Sequence, residues 1–234
     1  MTYEAFLRGA QTPRSRFRRL RRAIAKQEQR TLRCPDTPRL EGQTAMVTGG
    51  NGGIGFETVR GLLMRGARVI MAARNADKAE RAAAQLRADL GNDTPLEIVP
   101  LDLNDLRSVR QAAAQVNQRS LDLLVANAGL WPRRYGESAQ GHEHTFATNV
   151  LGHYLLCDLL APTLPASGRI VMLTGDIYCF SKVCTPDFRY RGTLGGMRAY
   201  CRSKLGNLWL TAELQERYPD LLCLTVHPGV VDSN

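Results

Sequence analysis

From Gln43 onward, short apolar and β-branched runs alternate with longer stretches in which apolar positions recur every three to four residues. The short runs at 44–48, 68–72, 96–101, 121–126, 169–173 and 222–226 predict strands. The longer stretches at 54–65, 76–90, 105–118, 143–164 and 198–218 predict helices. Runs such as Val69-Ile70-Met71 and Leu123-Leu124-Val125 are apolar at consecutive positions, so both faces of those strands need cover. Strands of that kind, each followed by a crossover helix, predict an α/β fold: a doubly wound parallel sheet of about six strands. No internal repeat or low-complexity linker interrupts the pattern.

A chain of 234 residues can bury one sizeable core, which excludes a disulfide miniprotein. No apolar run approaches the roughly 18–20 residues a membrane span needs; the stretch around Leu155 to Ala161 is interrupted by Asp158 and ends at Pro162. The six cysteines are scattered, with no Cys-x-x-Cys pair, and read as reduced thiols in a cytoplasmic protein.

The net charge of +9 is concentrated at one end. Residues 1–40 carry 11 of the 31 Lys and Arg but only 3 of the 22 Asp and Glu, so the remainder is nearly neutral. Two regions are therefore expected: a basic extension at 1–40 and a globular domain at 41–234. Within the extension, Phe17, Leu20 and Ile24 fall at helical spacing among arginines. That pattern fits a solvated basic helix or tail, a helix lying peripherally on a membrane surface, or an organellar targeting segment. Nucleic-acid binding is disfavoured because stacking aromatics are scarce there.

The first predicted strand runs through Thr48-Gly49-Gly50-Asn51-Gly52-Gly53-Ile54-Gly55 directly into a helix. Positions without side chains let such a turn close and let main-chain amides approach a pyrophosphate, the arrangement of a dinucleotide site. An acidic residue about 20 positions past the glycines would select NAD(H) through the ribose 2′-hydroxyl. This chain reads Ala72-Ala73-Arg74-Asn75 there, and a guanidinium suits the 2′-phosphate of NADP(H), with NAD(H) as the alternative. Tyr200 and Lys204 stand one helical turn apart, close enough for the ammonium to lower the phenol pKa and make it a general acid/base. His142-Glu143-His144 is not read as a metal site, since i, i+2 spacing sends the two imidazoles to different helix faces. Leu205, Leu208 and Trp209 read as core and Cys201 as a small buried residue.

With Asp102-Leu103 after the third predicted strand, Asn127-Ala128-Gly129 after the fourth, Asn149 in the long helix and Pro228-Gly229 after the sixth, the chain resembles the short-chain dehydrogenase/reductase family over residues 42–232. The stretches 146–153 and 199–207 look most like its retinol dehydrogenase-like branch, which mostly uses NADP(H). The resemblance implies that Gly49, Asn51, Gly53, Ile54 and Gly55 line the pyrophosphate, that Asp102 and Leu103 bind the adenine, and that Asn127–Gly129 lie beside the cofactor. It further implies a proton relay through Asn149, proton transfer by Tyr200, a ribose contact and pKa control by Lys204, and Pro228-Gly229 near the carboxamide.

Two departures stand out. The family's catalytic serine falls on Gly175 in Leu173-Thr174-Gly175-Asp176, so Thr174 is a candidate replacement, with Asp176 or Tyr178 as other donors. The family's last strand and closing helices are also not present after Pro228-Gly229. That reads as an incomplete chain, a natural truncation, or a domain in which residues 1–40 take over part of the lid, and it makes the sixth strand an unprotected edge. The expected activity is an NADP-dependent oxidoreductase acting on a small carbonyl or alcohol, lipophilic by analogy, in a homo-oligomer. The alternative is a catalytically impaired NADP(H)-binding protein with a regulatory or partner-binding role.

Overall fold

In the computed structural model, residues 39–132, 134–181 and 195–229 are described. The basic extension falls almost entirely outside them, as do residues 182–194.

The apolar runs pair as six parallel strands: β1 (Thr44–Thr48), β2 (Arg68–Ala73), β3 (Leu96–Pro100), β4 (Leu123–Ala126), β5 (Arg169–Leu173) and β6 (Leu222–Val226). They lie in the order β3-β2-β1-β4-β5-β6, so the chain reverses its direction of winding between β1 and β4. Val47 stands beside Met71 on one side and Val125 on the other, and all five β1 residues are buried. A crevice opens where neighbouring connections leave in opposite directions, at the carboxyl ends of β1 and β4.

Helices cover both faces. On one, α1 (Gly53–Met64) contributes Val59 and Leu63, and α2 (Ala76–Leu90) contributes Ala79, Ala82, Ala83 and Leu86. The alanines of α2 let it lie close to the sheet. On the other face, α3 (Leu106–Val116) packs Val109, Ala112, Ala113 and Val116 into a second cluster. Leu156 and Leu160 of α5 (Gly152–Leu160) and Leu210 and Leu214 of α6 (Gly195–Arg217) join it. Asn75 and Asp105 cap α2 and α3 by accepting the amide protons of Lys78 and Arg107 at 2.8 and 3.0 Å. The N-cap of α1 is Gly52, which has no side chain to offer.

The continuous helix expected at 143–164 is instead segmented. Glu143 caps the short α4 (His144–Phe146) by accepting from the Thr145 and Phe146 amides, a π-turn follows at Ala147–Leu151, then α5, then a 3-10 turn at Ala161–Thr163 that contains Pro162. The π-turn widens the helix where Asn149 sits, and such insertions frequently mark functional positions. Trp209, expected in the core, is 39% exposed on the outer side of α6, so the expected apolar stripe of that helix is displaced at this position. Leu222, Leu224 and Val226 of the edge strand β6 are also exposed.

Gly55 shows how closely α1 is seated. A Cβ there would lie 2.2 Å from the Gly49 carbonyl oxygen and 2.6 Å from Asn127 Nδ2. Gly55→Ala should therefore cost about 3 kcal/mol or more, read as a lowered urea midpoint, because the obstruction is largely backbone. An unchanged midpoint would show that the turn yields.

Candidate active site

At the β1 end, Gly49 and Gly53 adopt φ of +66° and +51°, conformations that favour glycine, and fold the chain back toward α1. Asn127 closes the turn from the neighbouring strand: its Nδ2 donates to the Thr48 carbonyl at 2.8 Å, and its amide donates to Thr48 Oγ1 at 3.0 Å. The Ala128 amide donates to the same hydroxyl oxygen at 3.0 Å. The first amides of α1, beside Asn51, Gly53, Ile54 and Gly55, have no side-chain cap, so they are available to an anion.

A cleft of about 290 Å³ runs from this turn past the ends of β2 and β3. Gly49, Asn51, Arg74, Asp102, Ala128 and Gly129 line it, and Leu103 reaches it although it is only 4% exposed. Asp102 accepts the Asn104 amide at 2.9 Å through one carboxylate oxygen and donates its own amide to Ser108 Oγ. Lys78, in the first turn of α2, lines the cleft on the same side as Arg74. Sequence reasoning missed it, although a cation one turn past the guanidinium was a visible signal.

Beyond Gly129 the candidate catalytic groups converge. A Cβ on Gly129 would stand 3.6 Å from both Asn149 Oδ1 and Lys204 Nζ. Asn149 is held by Leu130, whose amide donates to Oδ1 at 2.9 Å and whose carbonyl accepts from Nδ2 at 3.1 Å. Asn149 Nδ2 also donates to Ser203 Oγ at 2.9 Å, and Ser203 donates to the Tyr200 carbonyl at 2.8 Å. Lys204 Nζ donates to the Leu173 carbonyl at 3.3 Å, which also accepts Asn207 Nδ2 at 2.9 Å.

The Tyr200–Lys204 pair differs electrostatically from expectation. Nζ lies over the Tyr200 ring, 5.5 Å from its centroid, and burial raises the phenol above its ordinary value, assisted by the Cys201 thiol. Burial also pushes the Lys204 ammonium down to about 8. On the other side, Trp131 stacks on Tyr200 with centroids 5.2 Å apart and planes 12° from parallel. No sequence motif pointed to Trp131.

Near Gly175, two of the candidate replacements, Thr174 and Asp176, are already engaged. Thr174 is buried and donates its hydroxyl proton to the Lys204 carbonyl at 2.7 Å, so it clamps β5 to α6 and has no proton left for a substrate. Its expected role as a substitute donor is therefore corrected. Asp176 Oδ2 lies 3.0 Å from His227 Nε2, and burial with the neighbouring carboxylate raises the Tyr178 phenol. Gly175 itself has an extended φ of −163°, and a Cβ there would meet nothing within 4 Å. The Pro228–Gly229 loop is brought alongside by the bond from the Thr174 amide to the Val226 carbonyl, 2.9 Å.

The family model for the short chain dehydrogenase matches residues 43–234, nearly the whole of this framework. The chain belongs to the short-chain dehydrogenase/reductase family. Mouse retinol dehydrogenase 14 is 36% identical over 229 residues, a match covering 92% of this chain and 69% of the relative. Human retinol dehydrogenase 12 is 37% identical over 206 residues, covering 86% of this chain and 65% of the relative, just under two thirds of its length. These matches place the chain in the retinol dehydrogenase-like branch of this NAD(P)-dependent enzyme family. Among solved structures, an uncharacterised protein from Mycobacterium Paratuberculosis has a TM-score of 0.74 at 37% identity, covering 83% of this chain and 70% of that one. The NADP active-site complex of Pseudomonas aeruginosa RhlG has a TM-score of 0.66 at 26% identity, covering 84% and 75%.

The buried Lys204 has a thermodynamic consequence that short-chain dehydrogenase chemistry does not require. Its folded pKa of about 8 lies below the ordinary 10.5, so between those values the unfolded chain binds more protons and stability rises with pH. Lys204→Met should thus stabilise the fold at pH 7, by on the order of 3 kcal/mol at most, with the gain shrinking as the pH approaches 10. Urea melts at pH 7 and pH 10 test this; a gain that does not shrink with pH would contradict it.

Proposed function

We propose that the protein is an NADP(H)-dependent oxidoreductase that interconverts a small, lipophilic alcohol and its carbonyl compound. The observation that carries this reading is the convergence of Lys204 Nζ, Asn149 and the Tyr200-bearing helix at Gly129, which lines the same cleft as the glycine turn. The site fits a dinucleotide: uncapped α1 amides face the place for a pyrophosphate, and backbone replaces side chain at the tightest approaches. Asp102 and Leu103 wall the adenine end, while Arg74 with Lys78 suits a 2′-phosphate and favours NADP(H) over NAD(H). Asn127, Ala128 and Gly129 support the cofactor's flank, and Pro228 and Gly229 lie toward the carboxamide.

The nicotinamide, when bound, supplies or accepts the hydride. Tyr200 donates its phenolic proton to the substrate oxygen during reduction and takes it back during oxidation. Lys204 provides positive charge beside that phenol, and Asn149 holds the far side of the proton path. Trp131, 52% exposed against the Tyr200 ring, offers a flat apolar wall to a lipophilic substrate. The names of the retinol dehydrogenase relatives agree with an alcohol of that character. The alternative of an impaired binding protein draws no support from these relatives.

Calorimetry and steady-state assays over an aldehyde and ketone panel test the proposal. Tyr200→Phe should lower kcat by about 10²-fold or more with NADPH binding intact. Arg74→Ala should weaken NADPH by about tenfold and leave NADH nearly unchanged. Absence of binding by either coenzyme to folded protein would refute the reading. Gly175→Ser, which has open space for its hydroxyl, should raise kcat by about tenfold or more by adding a donor at the substrate oxygen. An unchanged kcat would show that the oxygen is held elsewhere.

A further inference from the structure

His153 is fully buried, yet it is neither in the cleft nor among the groups that converge at Gly129. Its Nε2 lies 3.0 Å from Thr48 Oγ1, and its Nδ1 lies 3.2 Å from the Asn149 carbonyl oxygen. The partners determine the protonation. Thr48 Oγ1 already accepts two amide protons, from Asn127 and Ala128, so its lone pairs are engaged and its own proton must be given away. The Val125 carbonyl is 3.5 Å distant, a poor acceptor at that range, whereas His153 Nε2 is well placed. Nε2 is therefore unprotonated, and Nδ1 carries the hydrogen that the Asn149 carbonyl accepts. The opposite tautomer, or an imidazolium, would aim an N–H at a hydroxyl oxygen with no lone pair left.

We propose that His153 is a positioning residue: as a neutral Nδ1–H imidazole it ties the threonine of the dinucleotide turn to the π-turn and so fixes Asn149 from behind. The side chain of Asn149 is held in front by Leu130 and Ser203, so the residue is gripped on both sides. A linked series of hydrogen bonds results, running from Thr48 through His153 to the Asn149 backbone and from the Asn149 side chain through Ser203 to the Tyr200 carbonyl. It connects the element that would seat the coenzyme to the helix that would carry proton transfer. The surroundings keep the ring neutral. Burial pushes its pKa down to about 4, the Lys204 charge acts in the same direction, and only the Asn149 carbonyl opposes them.

The inference about rate rests on the oxidoreductase reading, but the tautomer does not, so the two can fail separately. Nitrogen-15 NMR of the full chain with labelled histidine should show His153 as one neutral Nδ1–H tautomer down to about pH 5. An Nε2–H tautomer, or titration near the ordinary value of about 6.5, would overturn the proposal whether or not the protein turns over any substrate. In kinetics, folded His153→Leu should lose about tenfold or more in kcat while the NADPH dissociation constant moves less than about threefold. The pH profile of kcat should shift, and His153→Gln, which retains a donor and an acceptor, should recover much of the rate. Thr48→Val combined with His153→Leu should cost little more than the worse single change. Unchanged kcat in folded His153→Leu, or full additivity of the two substitutions, would overturn it.

Discussion

The parting of β1 from β4 is the constraint on which the rest depends. Two adjacent parallel strands send their connections to opposite faces, which opens a crevice and leaves main-chain groups at their ends without ladder partners. Here the gap is laced by Thr48 and Asn127, each supplying side-chain bonds to the other's backbone. The lacing fixes the glycine turn against Ala128 and Gly129, so the cleft is shaped before any ligand arrives. Preorganisation of this kind avoids an ordering cost at the moment of binding.

A second set of polar bonds joins α6 to the end of β5. Thr174 reaches the Lys204 carbonyl, while Lys204 and Asn207 both reach the Leu173 carbonyl. Apolar side chains would hold the two elements together at lower desolvation cost, and a buried ammonium is expensive. The polar seam therefore trades stability for placement: it aims an amine at one point beyond Gly129. Ser203 and Asn149 continue the seam toward the π-turn.

Much of this architecture was legible because it follows from local chemistry. The runs at Val69–Met71 and Leu123–Val125 required a sheet covered on both sides, and six parallel strands formed at those places. The glycines after Thr48 announced the turn, and Arg74 stands in the cleft. What the sequence hid depends on long-range geometry. A continuous apolar period at 143–164 carries no sign of a π-turn, because the inserted residue alters hydrogen bonding without disturbing composition. Thr174 looked like a spare hydroxyl until α6 placed a carbonyl beside it. The expected lowering of the Tyr200 pKa rested on i, i+4 spacing alone, which fixes proximity but not how far the phenol is buried. Trp131 meets Tyr200, and His153 meets Thr48, across dozens of positions, and no local pattern encodes that.

The Trp131–Tyr200 stack gives the molecule an optical handle. The chain has only two tryptophans, and Trp209 lies on the outer side of α6, away from the cleft. An indole resting on the candidate proton donor has an excited state sensitive to anything that separates the rings or brings a nicotinamide near them. Its emission overlaps the absorption of a reduced nicotinamide, so quenching of the native protein would report events beside the candidate proton donor without an attached dye.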